Sequence, residues 1–138
     1  MYLTEELKRA FEANYLDPVW EERMGRLEAD LDTFVNGDPI TPKFLFLLSP
    51  ARDGVWEIRS VKDDPSIRVL GFFAQYDVFV ATHYELRSEL GGWDSEEWRK
   101  TKRRAGAAWR RTFATYQPLK STDIHQLVSG AISGKYIK

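Results

Sequence analysis

Two arginines stand in otherwise apolar, β-type segments of this 138-residue chain. Arg59 ends the run W-E-I-R, and Arg68 lies in the run I-R-V-L-G-F-F. If these runs are neighbouring strands, side-chain alternation allows both guanidinium groups to converge on one sheet face. Guanidinium groups bind phosphate in two-point fashion, so one hypothesis is a phosphate clamp. The alternative is that both arginines are solvated, or paired with Glu57 or Glu85 across strands.

Three further polar side chains stand at the end of the next apolar run, V-F-V-A-T-H-Y-E-L-R. His83 and Tyr84 point to opposite faces of the predicted strand, and Arg87 follows at its end. Histidine is the side chain whose ordinary pKa suits proton transfer near neutral pH. A lone strand histidine is equally compatible with a structural role, and the two interpretations stay open.

A strongly basic segment follows the strands. Residues 1–66 hold 8 Lys+Arg and 14 Asp+Glu, whereas residues 67–138 hold 12 and 7. Such an asymmetry suggests that one end of the molecule meets a polyanion. Three explanations of this segment stay open: a solvated helix face, a contact with RNA, and a contact with an acidic partner. The sequence does not favour the first over the other two. The basic residues are Arg99, Lys100, Lys102, Arg103, Arg104, Arg110 and Arg111.

The first elements that position these residues are two helices. Thr4 can cap a first helix, because its hydroxyl can accept a hydrogen bond from the first turn. Asp17-Pro18 is typical of a second helix start. From Trp20 to Phe34 the apolar residues recur at steps of three and four, which predicts an amphipathic helix. Gly37 is placed to end it.

The next elements are strands. Phe44–Leu48 is a short apolar run between prolines, which predicts a buried strand. The stretch Val55–Arg87 contains three runs rich in Val, Ile, Phe and Trp, separated by polar breaks. This pattern predicts a three-strand antiparallel meander.

The basic segment is predicted to form a third helix. Asp94 is suited to be its N-cap, with Glu97 closing a capping box and Trp93 packed against Trp98. Pro118 is expected to stop the helix.

Length predicts one domain over residues 1–138, and the order of the predicted helices and strands makes that domain α+β. In it, N-terminal helices pack on an antiparallel sheet of about four strands, and a C-terminal helix follows. Residues 117–138 are predicted to form a weakly ordered tail. The chain has no cysteine and no spacing typical of a metal site, so neither metal nor cofactor is predicted. The N-terminus is unlike a signal peptide and no apolar run is long enough for a membrane span, which predicts a cytoplasmic protein.

The order of these pieces resembles the RelE/HigB toxin superfamily, particularly its phage-derived branch. The recurrent segments of that family are a W-E-I/L-R strand, an I/Y-R-V-L-x-F-F strand, and an apolar strand ending in an aromatic and basic residues. Trp56–Arg59, Ile67–Phe73 and Val78–Arg87 match them in order and spacing. The resemblance covers roughly residues 18–111. It implies a RelE-like fold and a ribosome-dependent messenger-RNA endonuclease, neutralised by a small helix-turn-helix antitoxin.

The resemblance also implies a metal-independent mechanism. The RNA 2′-hydroxyl attacks the adjacent phosphodiester, leaving a cyclic phosphate and a free 5′-hydroxyl. By this resemblance Arg59 and Arg68 stabilise the phosphate, and Arg87 stands where the family has lysines. His83 or Tyr84 transfers the proton. The basic helix would meet ribosomal RNA.

Two features depart from the family pattern. Glu85-Leu86-Arg87 stands where the family usually has a Lys-Lys pair, which introduces an acid into the site. The pI of about 6.1 is low for such toxins, and the acidic N-terminal helices would repel RNA unless they are turned away from it. The alternative is therefore a protein of this fold without nuclease activity, which binds a partner protein or nucleic acid as a prophage or regulatory module.

Overall fold

The computed structural model of this chain describes residues 1–13, 17–60 and 65–137, and of Thr33 the backbone alone. Within these ranges the protein is α+β, with three α-helices and a five-stranded sheet in the order β1-β5-β4-β3-β2. The helices are α1 (Glu5–Glu12), α2 (Pro18–Val35) and α3 (Glu96–Thr112). The strands are β1 (Tyr2–Leu3), β2 (Leu45–Leu47), β3 (Trp56–Ser60), β4 (Ile67–Gln75) and β5 (Val78–Leu86).

The two N-terminal helices begin at the predicted caps. The Thr4 hydroxyl accepts a hydrogen bond of 3.2 Å from a first-turn amide of α1. The Asp17 carboxylate accepts a hydrogen bond of 3.0 Å from the Val19 amide in the first turn of α2. Each bond satisfies an amide that has no partner within its helix. Gly37 follows the end of α2 with a φ of +72°, a conformation that glycine adopts without strain.

The third helix begins one residue later than predicted. Ser95, rather than Asp94, is its N-cap, and the Ser95 hydroxyl accepts a 3.2 Å hydrogen bond from the Trp98 amide. Both residue types cap helices, so sequence alone does not distinguish them. The helix also ends at Thr112, before the predicted stop at Pro118.

Helices cover both faces of the sheet, and this determines where the candidate residues lie. On the first face, α1, α2 and the C-terminal segment pack over β-strand side chains such as Trp56, Val69 and Phe73. On the second face, α3 packs over Leu70 and Phe72. Because side chains alternate along a strand, the charged residues of β3 and β4, namely Glu57, Arg59 and Arg68, emerge on the second face with α3.

The sheet has five strands rather than about four, and it is mixed rather than wholly antiparallel. The additional strand β1 runs parallel to β5, with Tyr2 beside Val80 and Leu3 beside Ala81. A two-residue strand is too short to show a period of alternation. Only the tertiary contact with β5 makes it recognisable.

Residues 117–138, for which the sequence predicts weak order, form the C-terminal segment, and its part from Ile124 to Tyr136 lies against the first face. Ile124, Leu127, Val128 and Tyr136 are buried in its core. The Tyr136 hydroxyl lies 2.6 Å from the carbonyl oxygen of Ile40. This packing is not apparent from the sequence, because the anchoring residues follow neither a helix nor a strand period. Lys138 lies outside the described residues.

Gly71 in β4 is expected to tolerate no side chain. A methyl group there would stand 2.3 Å from the Val80 carbonyl oxygen and 2.9 Å from the Ala81 Cα, beside an irregularity in the β4–β5 pairing. We expect Gly71→Ala to lower the free energy of unfolding by about 1–3 kcal/mol, measured by urea denaturation. Gly25→Ala is the matched control, because nothing lies within 4 Å of the added methyl. A Gly71→Ala protein as stable as Gly25→Ala would contradict this close approach.

Candidate functional site

The two strand arginines are direct cross-strand partners. β3 and β4 pair antiparallel with Arg59 opposite Arg68, so both side chains emerge from the second face of the sheet. This confirms the predicted convergence of the two groups. Both side chains are mostly buried, being 19% and 14% exposed.

Glu57 lies between these arginines, with a side chain that is only 1% exposed. Its Oε1 accepts a hydrogen bond of 2.6 Å from Arg59 Nε, and Arg68 Nη1 lies 4.0 Å from the same oxygen. One alternative that the sequence left open, pairing with Glu57, is therefore present. Within the described ranges Glu85 forms no ion pair with either arginine.

Arg87 completes a cluster of three guanidinium groups on this face. Burial lowers the pKa of Arg68, the Glu57 carboxylate opposes that change, and the charges of Arg59 and Arg87 add to it. The Nη1 of Arg87 donates a 2.8 Å hydrogen bond to the Gly91 carbonyl. We refer to Glu57, Arg59, Arg68 and Arg87 as the arginine cluster. Three cations and one carboxylate leave it with a net positive charge.

Two donors of Arg68 have no acceptor in the described part of the chain. Its Nε and Nη1, like the Oε2 of Glu57, are buried and have no hydrogen-bond partner among the described residues. Buried polar groups in proteins are nearly always hydrogen-bonded. An anion oxygen that reached these donors would satisfy them and would neutralise part of the cluster at the same time.

Aromatic rings that were not predicted as part of the site adjoin the arginine cluster. The Arg59 guanidinium carbon lies 4.5 Å from the centre of the Phe46 ring. The ring centres of Phe46 and Trp93 are 6.4 Å apart. Trp93 stacks on Trp98 with ring centres 5.0 Å apart, which confirms the predicted packing of these two residues. Strand alternation could have revealed Phe46, since Leu45 and Leu47 occupy the first-face core. Trp93 is 40% exposed, Phe46 is half-buried and Trp98 is buried beneath them. An arginine beside an accessible aromatic ring is a common surface for nucleic-acid bases.

Tyr84 lies on the opposite side of the sheet from the arginine cluster. Its ring packs against Phe11 at 5.0 Å and Trp20 at 5.6 Å, on the face covered by α1 and α2. Burial raises the pKa of Tyr84, and the Glu85 charge adds to this effect. The structure therefore does not bring Tyr84 together with Arg59 and Arg68.

His83 shares the second face with the arginine cluster. In the β4–β5 pairing it stands opposite Leu70, while Arg68 stands opposite Glu85. Its Nε2 lies 3.9 Å from Glu85 Oε2. Burial lowers the pKa of His83, the Arg104 charge lowers it further, and Glu6 opposes both. A lowered pKa keeps the ring neutral near pH 7, where it can accept a proton.

The basic residues of α3 divide between two sides of the helix. Lys100 and Arg104 line a cavity of about 540 Å³, next to Tyr84 and Glu85. Arg99, Lys102, Arg103 and Arg110 line a cleft of about 420 Å³ on the other side.

Some of these basic residues already have acidic partners. Arg99 and Arg103 both bind Glu96, at 3.0 Å and 2.9 Å. Arg111 binds Glu6 of α1 at 2.9 Å. Within the described part of the chain, no carboxylate forms an ion pair with the remaining four, namely Lys100, Lys102, Arg104 and Arg110.

No profile of a known protein family, no curated protein and no solved structure matches this chain. Functional inference therefore rests on the residues and on their geometry. The described residues contain no group of three or more His, Cys, Asp or Glu arranged to hold a metal ion. Among the described helices, none combines the length and the apolar character that crossing a bilayer requires.

Proposed function

We propose that this protein is an endoribonuclease that cleaves messenger RNA on the ribosome, without a metal ion. In this proposal it is the RelE-like toxin of a cytoplasmic type II toxin–antitoxin system, and a small helix-turn-helix antitoxin neutralises it. The observation that carries the proposal is the arginine cluster, in which Arg59, Arg68 and Arg87 converge on the sheet face that also holds His83. The resemblance of the three strand segments to the RelE/HigB superfamily supports the same reaction.

The proposed reaction uses the groups of this face in distinct roles. His83 accepts the proton of the RNA 2′-hydroxyl as its oxygen attacks the adjacent phosphorus. The unused donors of Arg68 bind the phosphate oxygens and stabilise the charge that develops on them. Glu57 holds the Arg59 guanidinium in place. The bond to the 5′-oxygen breaks and this oxygen takes a proton from water, which leaves a cyclic phosphate on one fragment and a 5′-hydroxyl on the other.

The distribution of charge over the molecule supports an RNA contact on the second face. The acidic helices α1 and α2 pack their apolar sides on the first face, and of their carboxylates Glu6 is paired with Arg111 of α3. The basic helix α3 packs on the second face, beside the cluster. The repulsion that the acidic N-terminal half would exert on RNA is thereby reduced by the thickness of the sheet.

A second candidate function is a protein of this fold that binds a partner or nucleic acid without cleaving it. The observation that favours it is the Glu57–Arg59 pair, which neutralises one arginine of the cluster within the site. Glu85 adds a second carboxylate to this face.

The experiment that tests the proposal adds the purified protein to a translation extract and maps message ends by primer extension. We expect new ends only when ribosomes translate the message. The new downstream fragments should accept a 5′-phosphate label from polynucleotide kinase without prior dephosphorylation, because a 5′-hydroxyl is the expected product. An extract without new ends, at protein concentrations that match the ribosomes, would favour the binding protein.

A further inference from the structure

A basic cleft separates α3 from the loop before β3 and from the C-terminal segment. Its volume of about 420 Å³ falls within the range of about 300–1,000 Å³ that is common for small-molecule sites. We call it the tail cleft. Its charged lining consists of Arg99, Lys102, Arg103, Arg110, Lys120 and Asp53.

The charge balance of the tail cleft favours an anion. Glu96 is shared by Arg99 and Arg103, so it offsets one of their two charges. Within the described residues, Lys102, Arg110 and Lys120 form no ion pair. Counting Asp53 and Glu96 against five cations leaves a net charge of about +3 in and beside the cleft.

The inner wall of the tail cleft is apolar. Phe72 and Trp109 line it, with their ring centres 5.3 Å apart, and Val55 lies beside them. Gly106 exposes the backbone of α3 on this side, where only Arg110 would approach an added methyl within 4 Å. A cationic rim over an apolar wall suits a phosphate that is attached to an organic group, since both parts then find a complementary surface.

We propose that the tail cleft binds the phosphate groups of a nucleotide, either in an RNA strand or free. No residue of the arginine cluster lines this cleft, so it is a second anion site. It goes beyond the proposed nuclease, because binding here does not require the cluster to cleave RNA. The C-terminal segment contributes Lys120 and closes one side, so the site exists only when that segment packs as observed.

The test measures the binding of inorganic pyrophosphate, uridine diphosphate and a single-stranded RNA hexamer by titration calorimetry. Lys102→Ala combined with Arg110→Ala is expected to weaken pyrophosphate binding at least about tenfold, because two charge-assisted contacts are lost. Lys100→Ala combined with Arg104→Ala is the matched control. It removes the same charge from the same helix, but on the side that faces the other cavity. We expect that control to change pyrophosphate affinity by less than about threefold.

The arms of this experiment distinguish the source of the phosphate. Weakening of the hexamer together with pyrophosphate points to an RNA strand, and weakening of uridine diphosphate without hexamer binding points to a free nucleotide. Absence of binding by all three probes, or an equal loss in both double variants, overturns the proposal. Lys120 lies outside α3, so Lys120→Ala tests the same cleft without altering the helix. We expect this variant also to bind pyrophosphate more weakly. Because the readout is binding, a failure to cleave messages leaves this result unaffected.

Discussion

Arg68→Ala is expected to reduce the rate of message cleavage by about 10²–10³-fold, the usual effect of removing one donor that stabilises a developing oxyanion. Arg68 combines a position at the centre of the cluster with two buried donors that no described protein group accepts. Those donors are the ones that a phosphate oxygen would use. The measurement is the initial rate at which new 5′-ends appear in a translation extract, with saturating protein.

Two variants make this result specific. Arg68→Lys keeps the charge but loses the planar fork, so we expect an intermediate rate. Arg9→Ala removes an arginine of α1 that is 77% exposed and pairs with Glu5 of the same helix, and this variant should cleave at the wild-type rate. If Arg68→Ala cleaves as fast as Arg9→Ala, the arginine cluster is not the site of the reaction.

Arg59→Ala is expected to lower the free energy of unfolding by about 3–5 kcal/mol, because it leaves a buried carboxylate without its closest partner. Glu57 is 1% exposed, and the bond that it would lose is 2.6 Å long. The remaining cation, Arg68, is 4.0 Å from the same oxygen and is not hydrogen-bonded to it. Urea denaturation of the variant and of the wild type gives this difference directly.

A double variant separates the lost charge pair from other effects at this position. Adding Glu57→Gln to Arg59→Ala removes the unpaired charge, so it should restore a substantial part of the stability. Arg99→Ala breaks an exposed pair of similar type and should cost less than about 1 kcal/mol. An Arg59→Ala protein that is no less stable than Arg99→Ala would show that the buried pair contributes little.

We expect the two strand arginines to contribute differently, Arg68 to the cleavage rate and Arg59 to the stability of the fold. Loss of activity in Arg59→Ala alone would not distinguish a catalytic role from a structural one, because the Glu57 pair is expected to stabilise the sheet. Arg68 lacks a close hydrogen bond within the cluster, so its loss reports more directly on ligand binding.

The local pattern of residues was sufficient to predict the three helices and four of the five strands. N-cap residues such as Thr4 and Asp17 indicate where helices begin, because the first-turn amides of any helix need hydrogen-bond acceptors. This requirement does not depend on where the helix packs in the fold. Alternation along β3 and β4 allowed Arg59 and Arg68 to share one face, and the observed register, with Arg59 opposite Arg68, confirms that they do. Asp94 and Ser95 mark the limit of this kind of inference, because either residue can cap α3.

The tertiary structure alone decided what surrounds the predicted groups. It paired β1 with β5 and packed the Tyr84 ring against aromatic residues of α1 and α2. It packed the C-terminal segment so that Lys120 lines a cleft together with residues of α3. It also buried the carboxylate of Glu57 between two cations. The physical reason is that periodicity and capping depend on residues within about one helical turn, or on the two-residue alternation of a strand. Burial, ion pairing and cavities depend on contacts between segments that are far apart in the chain, which spacing along the sequence does not record.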